Sequence, residues 1–276
     1  MGKQKPKKKK TFVDYLLTII LIAAVAVFCY AAYYLINIYL EYKKGVDEYN
    51  TIAEMAVTER APDEEVPEET PANENGGSRL VPPMIVDFEK LQQVNGDVCG
   101  WIYVEALDGV NYPMVRGEDN SYYLHMTYEK NYNFAGTIFL DFENKRDFSD
   151  CNTIIYGHNM KNGSMFGQLK RFTTTAETYK KSKYFWIFTP EASYRYEIIS
   201  AYTTAVDSDT YTLFKGPGSE FEEYLTKIRS YSQIPEQGKP DKEPDIMDKI
   251  VTLSTCTGDY STRYVVQGVR VDTITN

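Results

Sequence analysis

Between residues 12 and 40 nearly every side chain is apolar or aromatic, and Asp14 is the one charge in the run. A helix of about 20 such residues crosses the hydrocarbon of a bilayer. This run is longer, so it predicts a membrane-spanning helix with room to tilt, and any globular domain has to be built from the residues outside it. Lys3, Lys5 and Lys7 to Lys10 precede the run directly. Basic flanks stay on the cytoplasmic side, so residues 1–11 are expected as a cytoplasmic basic tail and residues 12–40 as a single-pass signal anchor in the cell membrane. Everything after Leu40 is then extracellular. Tyr30, Tyr33, Tyr34 and Tyr39 lie towards the far end, where aromatic rings favour the interface. A cleaved secretory signal shares the basic head, but its apolar core is only about 7–15 residues, which favours an uncleaved anchor.

Residues 41–83 are expected as an extracellular acidic linker. Residues 41–50 continue helically, while residues 59–77 are rich in Glu, Pro, Asn and Gly, a composition that buries too little apolar surface to offset chain entropy. Residues 84–276 read as one globular domain. Ile85, Phe88, Leu91 and Val94 recur at helical spacing, and Asn95-Gly96 closes that helix. Eight short β-prone segments follow, at 101–104, 110–115, 137–141, 153–156, 184–189, 194–202, 250–255 and 264–271. This mainly β pattern favours a closed barrel or sandwich over a parallel sheet with crossover helices. Two helices interrupt it: a short one at 164–172, and one from Ser219 with Glu222 as its capping-box partner and Phe221, Leu225 and Ile228 on one face.

With 30 Lys and Arg against 39 Asp and Glu, and a cluster of the cations in the first ten residues, the body has no basic stripe of the kind nucleic acid requires. No nucleic-acid partner is expected. Of the four cysteines, Cys29 sits in the apolar run and Cys256 ends a strand-like segment, leaving at most one pair for a disulfide. Cys99 and Cys151 are read as small core residues. The run FENKRDFSD gathers Glu143, Asp147 and Asp150 but intersperses Lys145 and Arg146, so it reads as a solvated loop rather than a calcium site. No metal and no cofactor is assigned.

The stretch VTLSTCTGDYSTRYVVQG carries the chemistry. Val251, Leu253 and Thr255 alternate with Thr252 and Ser254 and deliver Cys256 at a strand end. Arg263 opens the next strand seven residues on, and Gly258-Asp259-Tyr260-Ser261 reads as the hairpin turn between them. Upstream, the apolar Ile154-Ile155-Tyr156 ends in Gly157 and His158. A lone cysteine is more often a small core residue, so the spacing leaves both readings open. TLSTC with its Arg, preceded in order by GWIYVEALDGVNYPMV, NSYYLH, AGTIFLD and YGHNMKNGSMFGQL, resembles the sortase family of cysteine transpeptidases, and within it class B, from about Met84 to Val271.

That resemblance implies a closed eight-stranded β-barrel with an N-terminal helix and a long helix between strands six and seven. It implies Cys256 as nucleophile, His158 as acid and base, and Arg263 as donor to the substrate carbonyl. Asn120, Leu124, Tyr156 and Ser254 would line the groove for a C-terminal sorting motif, with residues 207–217 and 219–231 as one wall. His125, the second histidine, is expected as a groove-wall or packing residue. The implied partners are surface proteins bearing the motif and a peptidoglycan precursor amine. A pilin lysine as acceptor, a cysteine peptidase that only hydrolyses, and a tethered peptide-binding module are the alternatives. Motifs resembling NPQTN, LPXTG and PPXTG all remain open.

Overall fold

The computed structural model describes residues 11–60 and 80–276. The lysine cluster at 3–10 and most of the Glu-Pro-rich segment lie outside the described residues. The chain divides into two compact units, Met1–Lys44 and Gly45–Asn276. In the first, helix α1 (Phe12–Ala56) begins with Leu16, Ile20, Val27 and Leu35 all exposed. It is the one helix among the described residues long and apolar enough to cross a membrane, and none of its most apolar window is buried. A helix that is apolar all round needs an apolar medium.

The last turns of α1 belong to the second unit. Gly45, Tyr49, Ile52 and Ala56 recur at helical spacing and are buried, and the Tyr49 hydroxyl donates to the Gly136 carbonyl at 2.6 Å. Strand β1 (Val57–Glu59) then pairs antiparallel with β2 (Met84–Val86). Residues 45–59 were expected in the linker; they are part of the compact unit, whose boundary is Gly45 rather than 84. Their apolar stripe is hidden when composition is averaged with the acidic residues that follow. Helix α2 (Phe88–Val94) starts later than its periodicity suggests, because Asp87 caps it by accepting from the Lys90 N–H at 3.0 Å, while residues 84–86 are strand.

The remaining strands are β3 (Val98–Val104), β4 (Asn111–Val115), β5 (Ile138–Leu140), β6 (Asn152–Tyr156), β7 (Tyr184–Phe188), β8 (Ala192–Ala205), β9 (Ile250–Cys256) and β10 (Thr262–Thr275). They close into a barrel in the order β10-β8-β7-β3-β4-β5-β6-β9. All eight expected segments are there. The β4/β5 and β6/β9 pairs are parallel and the rest antiparallel.

The expected helix at 164–172 shrinks to α3 (Arg171–Thr174), followed by α4 (Glu177–Lys181). Met165 takes φ +53°, which a right-handed helix does not accommodate. Helix α5 (Ser219–Ser230) lies between the sixth and seventh barrel strands, as expected. Its capping box is absent: Gly218 is the N-cap, its carbonyl accepting from Phe221 and Glu222. Phe221, Tyr224, Leu225 and Ile228 pack against Ile199, Ile250, Val265 and Val269, and each such side chain contributes about 1.5–3 kcal/mol by burial. The run at 142–150 is a loop only partly solvated: Phe142, Glu143, Lys145, Arg146 and Asp147 are exposed, but the rest is anchored. Asn144, Phe148 and Asp150 are buried, and Asp150 accepts from the Asn144 side chain and the Lys145 N–H.

Candidate active site

Strands β6 and β9 run parallel with Tyr156 opposite Ser254, so both reach one rim of the barrel at their C-terminal ends. Beyond that register the chain is sewn across. Gly157 N–H donates to the Ser254 carbonyl at 3.1 Å, and the Asn159 side chain donates to the Cys256 carbonyl at 2.8 Å. Glycine is required at 157, where a Cβ would run into Ile138 and Phe166. Phe166 N–H closes the loop by donating to the His158 carbonyl at 2.9 Å. His158 and Cys256 are thus delivered to neighbouring positions by strand geometry.

The β9–β10 hairpin adds the guanidinium. Cys256 and Arg263 are direct cross-strand partners, and opposed residues of an antiparallel pair project from the same face. Ser254, two residues before Cys256, shares it. The turn between is closed by Gly258 at φ +97° and by Asp259, which accepts from Ser261 N–H and hydroxyl at 2.8 and 2.7 Å. Arg263 Nη1 donates to the Thr262 and Tyr260 carbonyls at 2.8 and 3.2 Å, holding the guanidinium under the turn.

His158 Nε2 lies 2.8 Å from the Leu124 carbonyl. A carbonyl only accepts, so Nε2 carries the proton and Nδ1 is the basic nitrogen of the neutral ring. Burial holds the imidazole below its usual value, the neighbouring His125 ring acting in the same direction and the Leu124 carbonyl against both. At neutral pH the ring is therefore neutral. His125 is exposed and stacks on His158 with ring centroids 5.9 Å apart.

Cys256, a free and half-exposed thiol, opens into a cleft of 360 Å³. Asn120, Leu124, Tyr156, His158, Ser254 and Arg263 line it with Cys256, so every residue expected to act on or bind the substrate falls in one cavity, while His125 lies outside its lining and packs on the His158 ring. Phe139, Gly157, Val206, Tyr211 and Thr255 complete the lining and were not singled out. Tyr211 comes from the 207–217 segment expected as a wall, and its hydroxyl pairs with Ser254 Oγ at 2.8 Å. Helix α5, expected as part of that wall, stands behind it and contributes nothing to the lining; Phe214, at the edge of the cluster under α5, stacks near Phe221 and Tyr224. A larger groove of 630 Å³ around Met84, Phe88, Phe188 and Asn276 has neither cysteine nor histidine in its lining, so the smaller cleft is where nucleophilic chemistry is possible.

The sortase domain family matches residues 102–271, more than half of the chain. Sortase B of Listeria monocytogenes is 35% identical over 192 residues, covering 66% of this chain and 73% of that protein. A structure of sortase B from B. anthracis superposes with TM-score 0.66 at 30% identity, covering 85% of this chain and 99% of that one. A Staphylococcus aureus sortase B–substrate complex superposes with TM-score 0.61 at 29% identity, over 67% of this chain and 84% of that one. The closed barrel, the helix between its sixth and seventh strands and these matches converge: the chain belongs to the sortase family of cysteine transpeptidases, and within it to class B.

Proposed function

We propose that this transpeptidase cleaves a C-terminal sorting motif of surface proteins after its Thr and transfers the acyl group to a cell-wall peptidoglycan amine. The observation that carries the reading is the convergence of Cys256, His158 and Arg263 with Asn120, Leu124, Tyr156 and Ser254 on one cleft. The neutral His158 ring takes the thiol proton of Cys256, and the resulting thiolate attacks the Thr carbonyl carbon. Arg263, with neighbouring backbone N–H groups, donates to the oxygen as it gains charge, and His158 delivers a proton to the departing amine. The resulting thioester is attacked by the acceptor amine, from which His158 takes the proton back, regenerating the thiolate. That the staphylococcal relative forms a complex with its substrate supports substrate binding by this chain.

The same reading places residues 12–40 across the cell membrane, residues 1–11 in the cytoplasm and the compact unit outside. The apolar, unburied first half of α1 and the lysines before it support that orientation. Protease added to intact cells should then cut within residues 59–77 and separate the barrel from α1 on a denaturing gel; protection of that segment would overturn the orientation.

The activity is tested on the full-length chain in detergent with a sorting peptide and a stem-peptide amine, the products being read by mass spectrometry. Ligated peptide is expected. Free acid alone would make the protein a peptidase, unchanged peptide a binding module, and ligation to a pilin lysine alone a polymerising enzyme.

A further inference from the structure

Behind the cleft, the residue following β5 is a carboxylate that the chemistry above does not use. Asp141 is only 6% exposed, and among the described residues no cation pairs with it. Its charge is met by donors instead. Oδ2 accepts from Asn120 Nδ2 at 2.8 Å and from the Tyr156 hydroxyl at 2.9 Å, and Oδ1 accepts from the Glu143 N–H at 2.9 Å. The Asp141 N–H itself donates to the Ile154 carbonyl at 2.9 Å, fixing its backbone to β6. Asn120 is held at its other end as well, its Oδ1 accepting from the Phe142 N–H at 3.0 Å.

These bonds settle the orientation of two side chains of the cleft. A carboxylate only accepts, so Tyr156 must donate to it and Asn120 must present its nitrogen. The alternative amide orientation of Asn120 would set its oxygen against a carboxylate and its nitrogen against a backbone N–H. What remains for a ligand is the free lone pair of the Tyr156 oxygen, an acceptor, and the second N–H of Asn120, a donor. Burial and the Asp141 charge keep the Tyr156 phenol protonated well above its usual range. One acceptor and one donor, anchored on the same carboxylate oxygen, match the N–H and C=O of a single amide group.

We propose that Asp141 is a positioning residue for substrate specificity: it fixes the hydrogen-bonding polarity of Tyr156 and Asn120 so that the cleft wall reads one amide group of the bound peptide. The inference rests on the proposal that this cleft holds the sorting peptide. Asp141 touches neither thiol nor imidazole, so its effect falls on peptide binding rather than on the bond-making step.

The test is Asp141→Asn, isosteric and neutral, in the full-length chain, with thermal melting to establish folding. The peptide is the NPQTN, LPXTG or PPXTG sequence that wild type turns over fastest. KM is expected to rise roughly tenfold, the worth of one or two misdirected hydrogen bonds, with kcat within about threefold. Alkylation of Cys256 by iodoacetamide should keep its wild-type rate. Asp141→Ser serves if the Asn variant does not fold, with the same rise expected. In a background of Asn120→Ala and Tyr156→Phe, adding Asp141→Asn should change KM no further. An unchanged KM, a loss confined to kcat with slowed alkylation, or the full tenfold penalty persisting in that background would each overturn the proposal. If wild type forms no thioester with Cys256 on any of the peptides, the reading of the cleft itself fails; a thioester with unaltered KM in the variant sinks only the role of Asp141.

Discussion

Strands β6 and β9 lie side by side from Asn152 opposite Ile250 to Tyr156 opposite Ser254, and the two ends of this one pair differ in kind. At the C-terminal end the backbone gives out into a cleft, and His158 and Cys256 stand half-exposed on its wall. At the N-terminal end Cys151 is 0% exposed, packed among Ile250, Val265 and Val269. Its N–H donates to the Phe214 carbonyl at 2.7 Å and its carbonyl accepts from Ile250 at 2.8 Å. A thiol in that position has no path to a substrate, although the Lys249 ammonium is only 3.6 Å from its sulfur. Cys99, buried on β3, is pushed up to about 12 by its burial. Thiol chemistry in this barrel is therefore set by the strand end a cysteine occupies and the water that reaches it, since three cysteines of one domain share their residue type and not their surroundings.

The sharpest way to break that comparison is to exchange the roles of its two ends. Cys256→Ala should lower turnover by at least about 10³-fold and leave the melting temperature near wild type, because little packing is lost at a half-exposed site. Cys151→Ala should do the reverse, costing about 1–2 kcal/mol through the cavity it leaves with turnover retained. Iodoacetamide on the folded protein, followed by peptide mapping, should mark Cys256 and spare Cys99 and Cys151. Labelling of Cys151 at the rate of Cys256 would remove the distinction.

His158 sharpens the comparison through pH. His158→Gln should cost about 10²-fold or more in turnover. The chain has only two histidines, so imidazole NMR resolves each, and burial requires His158 to titrate below the ordinary value of about 6.5. The sign of the linkage follows. Above pH 6.5 the ring is neutral folded and unfolded and costs nothing. As pH falls below 6.5 the unfolded chain takes up the proton first, so stability drops until the folded-state value is passed and then levels. His158→Gln should flatten that part of the melting-temperature profile; a His158 titrating above 6.5 would contradict the burial argument.

How far the sequence carried this arrangement depends on the length scale of each feature. All eight barrel strands were legible because alternation over a few residues is a local signal. The strand end at Cys256, the facing Arg263 and the Gly157-His158 turn were legible for the same reason. The residues that escaped depend on distant partners. Tyr211 reaches the cleft because Asn152 Nδ2 donates to the Thr212 carbonyl at 3.0 Å and to the Tyr224 hydroxyl at 3.2 Å, bonds that span 60 and 72 residues, and the Tyr224 hydroxyl donates in turn to the Thr210 carbonyl at 2.9 Å. Phe139 and Val206 have no local pattern that separates a cleft wall from a core. The packed segment at 45–59 was missed because its buried stripe adjoins acidic sequence, and the helix at 164–172 was overread because a positive φ at Met165 is not written in its side chain.

Arg263→Lys probes the hairpin arm of the site, with an intermediate effect. The charge survives, but Arg263 Nη1 holds the turn carbonyls while the rest of the planar fork stays free for the substrate oxygen, and an ammonium cannot hold that geometry. A loss of about 10- to 100-fold in kcat, with KM little changed, is expected. Near-normal kcat would reduce Arg263 to a generic cation and leave the oxyanion to backbone donors.

The smallest effect is expected at Asn159, and it tests whether the two strand ends need to be tied. Its side chain crosses from the residue after His158 to the carbonyl of Cys256 at 2.8 Å, bridging the two proposed catalytic residues by a single exposed hydrogen bond. Removing such a bond is worth about 1 kcal/mol, or roughly fivefold in rate if the bond serves only the reactive geometry. The parallel register of β6 and β9, with Gly157 bonded to Ser254, already holds the strands together. Asn159→Ala should therefore lower kcat about fivefold and leave folding intact, while Asn159→Asp, which offers no donor at neutral pH, should match it rather than rescue it. A loss approaching that of His158→Gln would mean that the strand pair alone does not position its C-terminal end, and that the side-chain tie does.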